Sequence, residues 1–210
     1  MILLLNVSPK GENSNSYYFL NLLRERLTEE CAYVEIKDIK EEIVLGVQMS
    51  EADAVVIGMP MYIDSVPAGM IRLMEELYQD FQGSFKRLPI YIMVNGGLYE
   101  SRQAETLFRI MKNWCGRMDL LYGGGIAIGA GEMLSGLNQF PIWEKLNRHL
   151  MEGMDCLTRA VSHRQTMENY YTEAPTGCSK KTYMMGAHFR WYRIAKKNGV
   201  TRREMYKRIS

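Results

Sequence analysis

The first strand-length segment of this chain, Ile2-Leu3-Leu4-Leu5-Asn6, has no polar face until its last residue. A strand that shows one side to water alternates apolar and polar residues, and this one does not. It must be covered on both faces, as strands are in the middle of parallel sheets flanked by helices. The rest of the chain supplies the layers. Residues 16–27 repeat apolar side chains at helical spacing (Phe19, Leu20, Leu22, Leu23, Leu27). Further strands are predicted within 32–36, 52–60, 89–97 and 123–132, and amphipathic helices over 66–78 and 105–114. Pro141 opens a long helix to about residue 166, proline being suited to a first helical turn. This alternation argues for an α/β fold with a parallel sheet. Right-handed crossovers make it doubly wound, with five strands in the order 2-1-3-4-5.

In that order the strand sequence reverses between strands 1 and 3, and ligands of open α/β sheets bind at such a point, beyond the carboxyl ends of the strands. The connection leaving strand 1 reads "SPKGENSNS" (residues 8–16), nine residues without a large apolar side chain. It leads into a helix N-terminus, where free N–H groups and the helix dipole favour an anion. Ser8, Ser14 and Ser16 offer hydroxyls, Asn15 an amide and Lys10 a charge, enough to hold one phosphate. Serine and asparagine are also ordinary helix caps, so a cap plus a solvated turn is the competing reading.

The connection after strand 3 begins Pro60-Met61-Tyr62-Ile63, an apolar and aromatic wall, and continues Asp64-Ser65. Strand 4 ends Asn95-Gly96-Gly97, where missing side chains allow close approach of a ring edge, or simply a tight turn. The chain lacks both G-x-x-x-x-G-K-[ST] and a G-x-G-x-x-G after strand 1, which disfavours a nucleotide triphosphatase and the usual dinucleotide site. A phosphate loop, an apolar wall and bare amides together match flavin mononucleotide (FMN).

Apolar residues make up 47% of the 210, enough for a sizeable core. The net charge of +2 is unevenly divided. From Lys180 onward ten Lys or Arg face one acid, a net of +9, which leaves −7 on everything before it. Cys31, Cys115, Cys156 and Cys178 form no C-x-x-C pair and read as reduced thiols of a cytoplasmic protein. His149, His163 and His188 show no ligand spacing, so no metal is expected. "MILLLN" is too short for a secretory signal, and no run is long enough to span a bilayer. Three segments follow: a sheet domain over 1–166, a linker over 167–183 and a basic, aromatic, helical tail over 184–210. For the tail, docking on the acidic body of its own or a neighbouring subunit ranks first. An anionic membrane surface ranks second and nucleic acid third.

With those motifs assembled, the sequence resembles the flavodoxin-like NAD(P)H-dependent FMN reductases, including the flavin domain of iron–sulfur flavoproteins. "SPKGENSNS" is similar to the family's phosphate loop, and "MPMYIDSVPAGMIRLME" to its P-[VLM]-Y-x-x-S-x-P segment. "VNGGLYES" stands where the family has its third flavin loop. The resemblance covers residues 1 to about 166. It departs from the family at Val7, where a glycine is usual, and lacks the iron–sulfur cysteine cluster. It implies FMN held at the phosphate by Ser8, Lys10, Ser14, Asn15 and Ser16. Pro60, Met61, Tyr62 and Ile63 would line the ribityl chain and ring, with Asn95, Gly96 and Gly97 near the pyrimidine. Amides of Gly96 and Gly97 would face charge at flavin N1 and O2, and Tyr99 and Glu100 would meet a second substrate. Flavin N5 would carry the chemistry, with no catalytic side chain. The implied activity is electron transfer from NAD(P)H through FMN to a small acceptor, in a homodimer or higher homo-oligomer. A flavodoxin-type electron carrier and a non-catalytic phosphate-ligand-binding module are the alternatives.

Overall fold

The computed structural model describes residues 1–36, 42–172, 175 and 177–207. They form two compact units, Met1–Thr176 and Gly177–Ser210. The first is built on a parallel sheet of β1 (Ile2–Asn6), β2 (Cys31–Glu35), β3 (Ala54–Pro60), β4 (Pro89–Asn95), β5 (Leu121–Ile128) and β6 (Tyr170–Tyr171), in the order β2-β1-β3-β4-β5-β6. The five expected strands keep their expected order. The sixth is an addition of two residues on the β5 edge, inside the stretch that reads as a linker. It pairs Ile126 with Tyr170 and Ala127 with Tyr171. Its sequence, Tyr-Tyr amid polar residues, is too short for a strand period to show.

Helices cover both faces: α1 (Asn15–Arg24), α2 (Glu42–Glu51), α3 (Ala68–Phe81), α4 (Glu105–Arg117), α5 (Gly131–Gly136), α6 (Ile142–Leu146) and α7 (Arg148–His163). Alternation along the strands sorts the core. Leu3, Leu5, Val55, Ile57, Ile90, Ile92 and Val94 face α2, α3 and α4 in one continuous buried cluster. α1 and α7 pack over the opposite face. β1 is buried at every position, as an unbroken apolar run requires.

Two helices differ from the sequence reading. α2 was not foreseen, because Gly46 weakens its pattern; the space of the missing Cβ is taken by the Phe81 ring, 2.2 Å from where that atom would be. The long helix expected from Pro141 is broken at Asn147 (φ −91°, ψ 3°) into α6 and α7, and α7 ends on left-handed Arg164. Asparagine readily leaves helical geometry, and Asn147 is buried at the break.

The second unit consists of α8 (Lys180–Lys197) and a 3-10 turn, Glu204–Tyr206. Ser179 Oγ caps α8 by accepting from Thr182 N, and Gly199, at φ 73°, closes it. Thr201 and Glu204 bond each other's backbone N–H reciprocally. Among the described residues no helix is long and apolar enough to cross a membrane.

Candidate functional site: the carboxyl edge of the sheet

Because the strands are parallel, their carboxyl ends share one edge. Asn6 pairs with Gly58, Pro60 with Asn95, and Asn95 with Ile128, so the loops after β1, β3, β4 and β5 leave side by side. Two buried asparagines organise them. The Asn6 side chain accepts from Ser8 N (3.1 Å) and donates to Gly11 O (3.1 Å) and Tyr33 Oη (2.9 Å). Tyr33 Oη then donates to Glu35 Oε1 (3.3 Å). Burial pushes the Tyr33 phenol's pKa up; the Asn6 bond opposes that and the Glu35 charge adds to it, so Tyr33 stays a neutral donor. Asn95 Nδ2 reaches across the edge to Ser16 Oγ (2.8 Å) and Met59 O (3.2 Å).

The hydroxyls and amide of the first loop share one arrangement. Ser14 Oγ accepts from Tyr17 N (3.1 Å) and Ser8 Oγ from Lys10 N (3.4 Å). Ser16 Oγ accepts from Asn95, and Asn15 Oδ1 accepts from Ser135 Oγ (2.7 Å). Each oxygen accepts a bond inside the protein, and among the described residues nothing takes the protons of these groups. The first-turn N–H groups of Asn15 and Ser16 likewise find no acceptor among the described residues, as helix starts require. Lys10 is exposed beside them. A site whose oxygens already accept bonds within the protein, and whose N–H and O–H groups are still to be matched, favours an anion.

The second and third loops meet next to it. Met61 N donates to Asn95 O (2.9 Å), and a Cβ on Gly96 would lie 3.1 Å from Met61 Cε. Ser65 N donates to Tyr62 O, closing a turn whose tip, Ile63-Asp64, is left-handed (φ 50° and 55°). A β-branched residue is strained there. Ile63 is 99% exposed, and Tyr62 and Leu98 are about half exposed, at 48% and 50%. These three form an uncovered apolar rim at the loop edge.

The expected residues therefore divide. Ser8, Ser14, Asn15, Ser16 and Lys10 lie on one loop and helix start, with Pro60, Met61, Tyr62 and Ile63 on the adjoining loop. Asn95 is buried, and its side-chain amide is turned inward to Ser16 and Met59. The Gly96 N–H donates to Ile128 O (3.0 Å), so it is not among the anion donors. Tyr99 is half-buried and Glu100 exposed, just ahead of the 3-10 turn Ser101–Ala104. Away from the edge, His149 contacts Glu152, and His163 bonds Arg159 O. Sequence reasoning missed Asn6, Tyr33 and Ser135. Asn6 carries a signal, as the polar end of an otherwise apolar strand; Ser135 carries none.

The donors of the first loop suit a phosphate, and the Met61–Ile63 segment with Leu98 suits a flat ring, so the residues fit FMN. The comparisons agree. Structures similar to this chain include general stress protein 14 from Treponema denticola in complex with FMN, at 15% identity and a TM-score of 0.56, covering 74% of this chain and 98% of that one. NADPH-quinone reductase from P. pentosaceus matches at 14% and 0.55, covering 79% and 98%. Azoreductase from Bacillus anthracis str. Sterne matches at 14% and 0.53, covering 77% and 98%. At these identities they show the fold. No curated protein matches. The family model described as NADPH-dependent FMN reductase matches residues 1–124, more than half the chain. The chain thus belongs to the NADPH-dependent FMN reductase family, an FMN-dependent oxidoreductase with FMN as its cofactor.

Proposed function

We propose that this chain takes electrons from NAD(P)H and passes them through FMN to a small acceptor. The observation that carries the reading is the donor polarity of the first loop: the side-chain oxygens of Ser8, Ser14, Asn15 and Ser16 each accept a bond inside the protein, while their O–H and N–H groups can turn to a ligand. These donors, the Asn15 and Ser16 amides and Lys10 hold the phosphate without a cage of basic side chains. Pro60 and Met61 line the start of the next loop, and Tyr62 and Ile63 shield the ring from water. FMN, when bound, supplies the hydride and single-electron chemistry. The protein's part is to bind, orient and exclude water, and no side chain at the edge is assigned as acid or base. The Gly96 N–H is committed to Ile128, and the third loop contributes through the backbone of Gly97. Tyr99 and Glu100 stand where a second substrate would pass. Quinones and azo compounds, named for the similar reductases, are the first acceptors to try.

The test is an anaerobic spectrum of the purified chain, loaded with FMN and desalted. Retained flavin bands bleached by NADH or NADPH support the reading. Bands that neither donor bleaches move the function to a flavodoxin-type carrier, which the acidic charge of the sheet unit favours. Loss of all flavin on desalting would leave a module for another phosphate ligand.

A further inference from the structure

The second unit is folded without a core. α8 has eighteen residues and none is buried. Met185, Phe189 and Trp191 are 66%, 65% and 60% exposed, and Met184 and Ile194 are exposed as well. An isolated helix of this length is marginal in water, and helices in proteins are held mainly by covering an apolar face. Both ends of α8 are capped, and nothing within its own unit covers it.

The distribution of its side chains says what kind. At about 100° per residue, Met184, Ala187, Trp191 and Ile194 make one stripe. Met185, Phe189 and Tyr192 make a second on the far side. A membrane-surface helix carries one apolar face and one charged face. A lipid surface would cover one of these stripes and leave the other in water. Methionine and isoleucine stripes gain nothing from a phosphate backbone. Two apolar stripes, the second shared with Lys196, with Arg190, Arg193 and Lys197 between them suit a protein surface that is apolar and acidic together. The sheet unit is such a surface. It carries −7 against the second unit's +9. α2 and α3, which pack together, expose Val44, Val47, Ile71 and Tyr78, and α3 adds exposed Glu75 and Asp80.

We propose that Gly177–Ser210 is an arm that docks on the α2–α3 face of a second copy of this chain, so that copies associate by exchanging arms. Exchange about a two-fold axis uses each contact twice and closes the assembly. The proposal does not depend on the flavin reading.

Sedimentation velocity of the full chain tests it. At about 50 mM salt the chain should sediment as a dimer or larger. At about 500 mM, where the screening length falls to roughly 4 Å, association should weaken about tenfold or more. Arg190→Glu/Arg193→Glu and Glu75→Lys/Asp80→Lys should each shift the chain to monomer with helicity by circular dichroism unchanged. Association that either variant leaves unaltered overturns the proposal. So does a monomer that instead co-sediments with phosphatidylserine vesicles or with an oligonucleotide. Should a variant unfold, the salt series on the unaltered chain decides, and association indifferent to salt overturns the proposal.

Discussion

Two asparagines at strand ends hold the proposed phosphate site together from within the protein. Asn95 Nδ2 donates to the Ser16 hydroxyl oxygen and so holds that side chain in place at the helix start. Asn95→Leu strands Ser16 Oγ and Met59 O in a buried place. It should lower stability by about 1–3 kcal/mol and weaken FMN binding about tenfold. Ser16→Ala should weaken binding comparably with a smaller stability loss. Urea unfolding and titration of flavin fluorescence separate the two effects, and equal losses of stability would refute the positioning role of Asn95. At this scale the sequence was partly legible. The run from Ser8 to Ser16 exposes its chemistry because loops carry few competing signals. The inward turn of Asn95 was not legible, since it depends on a partner 79 positions away brought close by strand order.

At the scale of elements, long-range ties set what the sequence hides. Tyr91 in β4 donates its hydroxyl to Ala160 O and Gln165 O, each at 2.8 Å, anchoring the end of α7 to the sheet. Burial pushes its phenol up to about 12. A raised folded-state value means that its contribution is complete below the unfolded value near 10 and is lost as pH rises through about 12. The urea midpoint should therefore fall between those pH values. Tyr91→Phe should flatten that part of the fall and cost about 1–2 kcal/mol at neutral pH. β1, α1 and α3 were readable because their apolar spacing is strong and local. α2 was not, because Gly46 answers to Phe81 on another helix. Nor was the break at Asn147, which packing rather than periodicity requires.

For the whole molecule, the division into Met1–Thr176 and Gly177–Ser210 has a direct test. A chain ended at Thr176 keeps all six strands and every residue assigned to FMN. It should bind FMN with unchanged affinity, and saturating flavin at about 100 times its dissociation constant should raise its stability by about 2.7 kcal/mol, as in the full chain. A drop in affinity on truncation, read by calorimetry, would show that the second unit contributes to the site. Overall topology was legible from the strand-helix alternation, which leaves few right-handed arrangements. The sixth strand was not, because two tyrosines amid polar residues carry no period.

That sixth strand also bears on how the protein is made. Met167 N donates to Gly123 O, Thr172 N to Ala127 O, and Ser101 Oγ to Thr172 O. The outer edge of β5 is thus closed by residues that leave the ribosome more than forty positions after it. Until Thr172 emerges, the nascent sheet presents an open, glycine-rich border to other nascent chains, the kind of border on which strands add and aggregates grow. A message truncated after codon 166 should give insoluble protein, and one truncated after codon 176 soluble protein.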